Sequence, residues 1–345
     1  MIINGTVIGE NNRPFVIAEV GQAHEGSLGN AFAFVDVASA CGVNAVKFQT
    51  HIASEESTIH EPWRIPFSRQ DSSRYDYWKR MEFSESQWLE LKEYVEKKGL
   101  IFLSSPFSLK ACDLLLDIGV EAWKVASGEM HNPQLINYLI ETNKPMILST
   151  GLSPKSQVRQ IVADVVAKGT SCAVLHCTTM YPTPPESVGL NVFESFCNLF
   201  DDIPVGISDH SGTIYPSVVS AYQGASIFEV HLTLHEKMFG PDVSSSLTPE
   251  KLTDLVTGVN FACRMRQSKV DKDSQLGDVV KEKTIFSRSI VANYSLKRGH
   301  KLSAADLGYK KPGGGLDYSE WDYLLGKKLV KDVSVDHILE RSDVE

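Results

Sequence analysis

The chain has 345 residues, enough for one large domain with a small one or for two of ordinary size. Its composition, 42% hydrophobic and 22% charged, is that of a globular protein, and no apolar run approaches the roughly 20 residues of a membrane span. A formal net charge of -9 excludes a general attraction to nucleic acid or to an anionic membrane, so an anionic ligand would need a local cluster of basic residues. The first residues, "MIINGTVIGENNR", lack the basic, apolar and small-residue pattern of a secretory signal, which points to the cytoplasm.

In chain order, eight short β-branched runs each close in polar residues or glycine: "FVIAEVG", "NAVKFQT", "LIFLSSPF", "AWKVASGE", "PMILSTG", "CAVLHCTTMYP", "VGISDHSG" and "SIFEVHLTL". Helix-like stretches alternate with them, among them "SLGNAFAFVDVASACG", "SESQWLELKEYVEKKG" and "SPKSQVRQIVADVVAKG", with Ser near the start and Gly after the end. Strand-then-helix repeats predict a parallel sheet, and eight of them in about 250 residues predict an α/β (β/α)8 TIM barrel over an open doubly wound sheet. The stretch "HIASEESTIHEPWRIPFSRQDSSRYDYWKRMEF" after the second run is too long for an ordinary connection and is expected to roof the barrel mouth. The predicted organisation is a barrel over residues 1–268, a charged linker over 269–284 and a small β-rich domain over 285–345. Six cysteines lack zinc-like spacing and read as small core residues.

Barrel chemistry sits where the strands end. Cations (Lys47, Lys124), hydroxyls (Ser104, Ser105, Ser127, Ser149, Thr150, Ser208) and acids or histidines (Glu19, Glu129, Asp209, His210, His231) gather there, describing an anion site beside a metal site. Each lysine stands in an apolar strand and needs an anionic partner, either a bound phosphate or carboxylate or an internal Lys–Glu pair. His210 and His231 close neighbouring runs and could share a divalent ion. His176 lies deeper in its strand and reads as a hydrogen-bonded core residue, and His24 reads as a loop-ordering residue. Period two sets Glu129 on the side of Ser127, where it could bind a sugar hydroxyl, move a proton or cap the next helix. "KKPGGGLD" lacks the spacing of a phosphate loop and reads as a mobile loop carrying Lys311 towards a ligand.

"FVIAEVGQAHEGS", "VKFQT", "SSPF", "KVASGE", "ILSTG", "LHCTTMYPTP", "GISDHSG", "FEVHLT" and "GPDVSSSLTPEKL" resemble, in order and spacing, the sialic acid synthase family, and the tail resembles its antifreeze-like (SAF) domain. The resemblance implies condensation of phosphoenolpyruvate with N-acetylmannosamine, or its 6-phosphate, to give N-acetylneuraminate and phosphate. It implies that His210 and His231 hold a divalent cation, typically Mn2+, with Mg2+ or Co2+ possible. It sets phosphoenolpyruvate on Lys47, Lys124, Ser127, Ser149 and Ser208, and it sets Gln49, Glu129, Tyr181 and Asp242 on the sugar side. Ser105, Thr179 and Lys311 complete the substrate-binding set, and Glu19 stands beside the metal. In the family the SAF domain of one subunit covers the barrel mouth of its partner, so a domain-swapped homodimer is implied.

Three positions depart from the commonest family pattern. Ala23 and Thr179 stand where asparagine is found, and Lys311 replaces an arginine, whose planar guanidinium an ammonium does not reproduce. "SGE" at Ser127 to Glu129 favours the neuraminate and legionaminate branches over pseudaminate, leaving a 2,4-diacetamido-trideoxy hexose as the alternative acceptor. Two rivals are a Schiff-base aldolase using Lys124 and a non-catalytic sugar- or ice-binding protein.

Overall fold

A computed structural model describes residues 1–9, 11–274 and 279–345. The chain divides into two compact units, Met1–Ser268 and Lys269–Glu345.

The first unit opens with a hairpin of β1 (Ile2–Ile3) and β2 (Thr6–Val7). Eight parallel strands follow: β3 (Phe15–Gly21), β4 (Ala45–Thr50), β5 (Ile101–Pro106), β6 (Trp123–Val125), β7 (Met146–Ser149), β8 (Cys172–Cys177), β9 (Val205–Asp209) and β10 (Ile227–His231). Their order is β5-β4-β3-β10-β9-β8-β7-β6, and β5 lies beside β6, so the sheet curls into the expected barrel. Last strand meets first: His231 stands opposite Glu19 in the β10–β3 register.

Period two then sorts each strand into two faces. One face, carrying residues such as Val16, Val46, Phe48, Phe102, Val174 and Phe228, packs outward on the helices. The other fills the barrel in layers. At the N-terminal end the filling is apolar, with Phe15, Ile17, Ala45, Leu103, Ala122, Ile147, Leu175 and Ile227 closed from below by Ile3 and Ile8. One step further along the same faces come Glu19, Lys47, Ser105, Lys124, Ser149, Cys177, Ser208 and Glu229. Such a floor is tolerable only if its charges are paired.

The helices form where their caps allow. Ser27 accepts from Asn30 N at 3.2 Å to start Leu28–Ala40, and Ser84 with Gln87 forms a capping box before Glu85–Lys97. Gly99, with φ at +76°, takes the left-handed turn that releases the latter helix into β5. The helix Lys155–Ala167 has Pro154, not a serine, at its cap position.

β6 is shorter than expected: it ends at Val125, and Ser127 and Glu129 fall in the following turn. The period-two argument for that pair therefore does not hold. Asn132, accepting from Leu135 N at 3.2 Å, caps the next helix in place of Glu129.

In the second unit, residues 275–278 of the expected linker lie outside the described residues, and Val280–Phe286 is a short helix. β11 (Ser289–Ala292) and β12 (Leu307–Lys310) pair antiparallel over a core of Ile290, Leu302, Leu324, Leu329 and Leu339. In the "KKPGGGLD" loop, Gly313 N donates to Thr284 O at 2.7 Å and Gly315 N to Ser289 Oγ at 3.0 Å, so two amides of this loop are spent within the unit. Among the described residues no helix is long and apolar enough to cross a membrane.

Candidate active site

The charged floor is a closed network. Lys47 Nζ lies 2.6 Å from Glu19 Oε2 and donates to Ser105 Oγ at 3.4 Å. Lys124 Nζ donates to Ser149 Oγ at 2.9 Å and pairs with Glu229 at 3.1 Å, while Ser208 Oγ donates to the same Glu229 Oε1 at 2.9 Å. Glu19, Lys47, Lys124 and Glu229 are all at most 5% exposed. The internal Lys–Glu pairing left open by the sequence is thus present for both lysines. Burial alone would depress the Lys47 ammonium, but Glu19 and Glu229 outweigh it and hold it above its ordinary value. Burial, with the like charge of Lys47, outweighs Glu229 at Lys124 and draws that ammonium below its ordinary value. Burial also opposes ionisation of Glu229, yet the two lysines prevail and keep its carboxyl below the usual range.

An ammonium has three donors. Among the described residues each lysine spends two, so each keeps one N–H for an anion. Glu229 Oε2 accepts no hydrogen bond among the described residues.

Above the floor stand the two histidines. Gly206 lets β9 approach β10, since a Cβ there would collide with the Ile227 carbonyl. The rings of His210 and His231 lie 5.3 Å apart between centroids, with Tyr181 at 4.3 Å from the first and 6.1 Å from the second. His210 Nδ1 donates to Thr178 O at 3.1 Å, which leaves Nε2 as a lone pair. Burial, helped by the charge of His231, pushes the His210 pKa down to about 3, so the ring stays neutral. Two imidazoles with no third His, Cys, Asp or Glu clustered on them among the described residues fit a divalent ion that takes its other ligands from substrate and water. Asp209 is not part of this set, because it accepts from Ser211 N and Oγ, both at 2.9 Å.

A cleft of about 400 Å3 opens over these residues, lined by Gln49, Ser127, Glu129, Thr179, Tyr181, His231 and Asp242. Burial raises the Glu129 carboxyl above its usual range despite the Asn132 Nδ2 hydrogen bond at 3.0 Å, so it can hold a proton closer to neutrality. Ser127 Oγ accepts from Gly151 N at 3.2 Å, and a Cβ at Gly151 would collide with Cys177 Sγ and Thr179 Oγ1. The long insertion contributes Trp63, Arg64, Phe67, Tyr77 and Trp78 to the same cleft, as a roof. Arg64 binds Asp242 Oδ1 at 2.5 Å and lies 4.4 Å over the Tyr181 ring.

Of the expected residues, only Lys311 belongs to the second unit; it is exposed, with its ammonium 5.4 Å over the Phe286 ring. His176 donates to Val188 O at 2.7 Å, the core role expected of it, and His24 Nδ1 accepts from Gly26 N at 3.1 Å, ordering its loop. Glu229 and Arg64 were missed. Glu229 carried a readable signal, a lone charge two residues before His231 in an apolar strand. Arg64 carried none, since its partner lies 178 residues away.

A barrel with apolar filling at one end and paired charges, imidazoles and a roofed cleft at the other has the layout of a barrel enzyme. Residues 34–271 match the model of the NeuB family and residues 287–345 that of the SAF domain; the chain belongs to the NeuB family. It is 34% identical, over 99% of its length and 98% of the other's, to an uncharacterized protein of Methanocaldococcus jannaschii. It is 30% identical to the N,N'-diacetyllegionaminic acid synthase of Campylobacter jejuni, over 95% of this chain and 99% of that one. The crystal structure of N-acetylneuraminic acid (sialic acid) synthetase from Leptospira borgpetersenii matches with a TM-score of 0.72 at 27% identity, over 82% of this chain and 96% of that one.

Proposed function

We propose that the protein condenses phosphoenolpyruvate with N-acetylmannosamine to give N-acetylneuraminate and phosphate. The observation that carries this reading is the pair of buried ammonium groups, each with an unspent N–H, beneath an imidazole pair and a polar cleft. In this reading Lys47 and Lys124 hold the phosphate and carboxylate, with Ser105, Ser127, Ser149 and Ser208 completing the hydrogen bonds. Gln49, Glu129, Thr179, Tyr181 and Asp242 hold the open-chain sugar.

The reaction balances without a redox partner. C3 of phosphoenolpyruvate attacks the sugar's carbonyl carbon, water adds at the electron-poor C2, and the adduct loses phosphate. His210 and His231 would hold a divalent ion, Mn2+ first, which when bound supplies Lewis acidity at the aldehyde oxygen. Glu129 is suited to hold or move the proton at a sugar oxygen, and Glu19 orients Lys47. The second acceptor, a 2,4-diacetamido-trideoxy hexose, is favoured by the likeness to the C. jejuni synthase and by Lys311 in place of arginine.

The test is phosphate release. It is expected only when phosphoenolpyruvate, an N-acylated amino sugar and Mn2+ are present together. Release without sugar contradicts the reading, and so does a Lys124 adduct trapped by borohydride, which would mark a Schiff-base aldolase.

A further inference from the structure

His51 follows β4 and has no role in the site described above, yet it is among the most constrained side chains of the cleft. Its ring is stacked between Trp78, at 4.0 Å and 15°, and Phe107, at 4.3 Å and 11°. Nδ1 lies 2.5 Å from Glu56 Oε1, and Nε2 lies 3.2 Å from Gln49 Oε1. The Gln49 amide in turn donates from Nε2 to Glu19 Oε1 at 2.7 Å, and Glu19 pairs with Lys47. A chain of contacts therefore runs from Glu56 in the roof through His51, Gln49 and Glu19 to Lys47 in the floor.

The hydrogen positions from Glu19 to His51 Nε2 are forced. Glu19 is paired with a buried ammonium and accepts, so Gln49 must present its NH2 to it and its carbonyl oxygen to His51. The carbonyl oxygen accepts only, so His51 Nε2 must carry a proton. At the other end, Nδ1 and Glu56 Oε1 share one proton across 2.5 Å. Turning the Gln49 amide over would set its oxygen against the Glu19 carboxylate.

We propose that His51 is a positioning residue for the acceptor sugar: its Nε2–H locks the Gln49 amide so that the second Nε2 hydrogen of Gln49 faces the cleft as a fixed donor. Gln49 then recognises an oxygen acceptor on the substrate and offers it no acceptor of its own. The titratable groups facing the ring are Glu56 from the following helix, the neutral His24 from the loop after β3 and Glu129 from the turn after β6. In its kinetic part the inference rests on the function proposed above; in its resting-state part it does not.

Two measurements test it. In the resting, substrate-free protein, 15N NMR should show the His51 Nε2 protonated, and it should stay so in Glu56→Gln. An unprotonated Nε2 in the unsubstituted protein overturns the proposal, whatever the enzyme acts on. His51→Phe keeps an aromatic ring between Trp78 and Phe107 but removes both ring nitrogens. It should raise the acceptor sugar's KM about tenfold while changing the phosphoenolpyruvate KM less than about twofold. An unchanged acceptor KM overturns the proposal, as does an equal rise in both constants with a lowered melting temperature, which would mark a packing role. If the unsubstituted enzyme turns over no amino sugar, the functional reading fails, and the NMR result alone decides the role of His51.

Discussion

Lys124 and Glu229 illustrate how a single residue serves both fold and site. Removing the ammonium leaves a carboxylate buried without its cation, a loss of about 3–5 kcal/mol. Lys124→Ala should therefore lower stability by about that amount in urea unfolding and raise the apparent KM for phosphoenolpyruvate. Adding Glu229→Gln should restore most of the stability and none of the affinity; recovery of both would make the pair purely structural. For the histidines the expectation differs, because neither forms an ion pair among the described residues. His210→Ala and His231→Ala should abolish Mn2+-dependent phosphate release with little change in circular dichroism, and full activity in either would remove them as ligands. The lysines were legible because a cation inside an apolar strand demands a partner. Glu229 obeys the same rule, and the pull of the histidine beside it hid the carboxylate.

At the scale of elements, the eight strands were legible because short β-branched runs alternate with capped helices, although the run ending "CTTMYP" outlasts β8 and the run ending "ASGE" outlasts β6. Its polar end reads like a continuing strand, but the chain turns at Ala126 instead. The roof was legible only as a length of chain. What fixes it is long-range: Arg80 binds Asp71 through Nε at 2.9 Å and Nη2 at 2.8 Å and reaches the Glu25 carbonyl at 3.0 Å, tying the insertion to the loop after β3. No local pattern announces such contacts. Arg64 ties the same insertion to Asp242 and Tyr181 on the opposite wall. Arg64→Ala should loosen that wall and raise the KM of the amino sugar roughly tenfold, about 1.4 kcal/mol, with that of phosphoenolpyruvate nearly unchanged. An effect on phosphoenolpyruvate alone would contradict the division of the cleft.

For the whole molecule, acid sensitivity follows from the buried rings. Burial pushes His24, like His210, down to about 3, so between pH 6.5 and 3 the unfolded chain takes up protons that the folded chain refuses. Stability is present above pH 6.5 and is lost as pH falls through that window. Asp209, pushed up to about 6 by burial, works in the opposite sense below pH 6, and Glu25 and Glu129 add to the offset. The metal-free protein should still lose roughly 2 kcal/mol between pH 7.5 and 4.5 in denaturant titrations; a flat profile would contradict the neutral, buried state of the rings.

We also propose that the SAF unit of one subunit completes the barrel mouth of a partner. The barrel has its own two cores within Met1–Ser268. A chain ending at Ser268 should then fold and bind phosphoenolpyruvate without turning over, whereas an active truncated monomer would defeat the idea.

The most direct measurement is mass spectrometry of the products formed from phosphoenolpyruvate, Mn2+ and a set of free, phosphorylated and diacetamido amino sugars. One new species is expected from N-acetylmannosamine, its mass that of both substrates plus water less one phosphate. Pyruvate and unchanged sugar, with no condensed product from any acceptor, would contradict it.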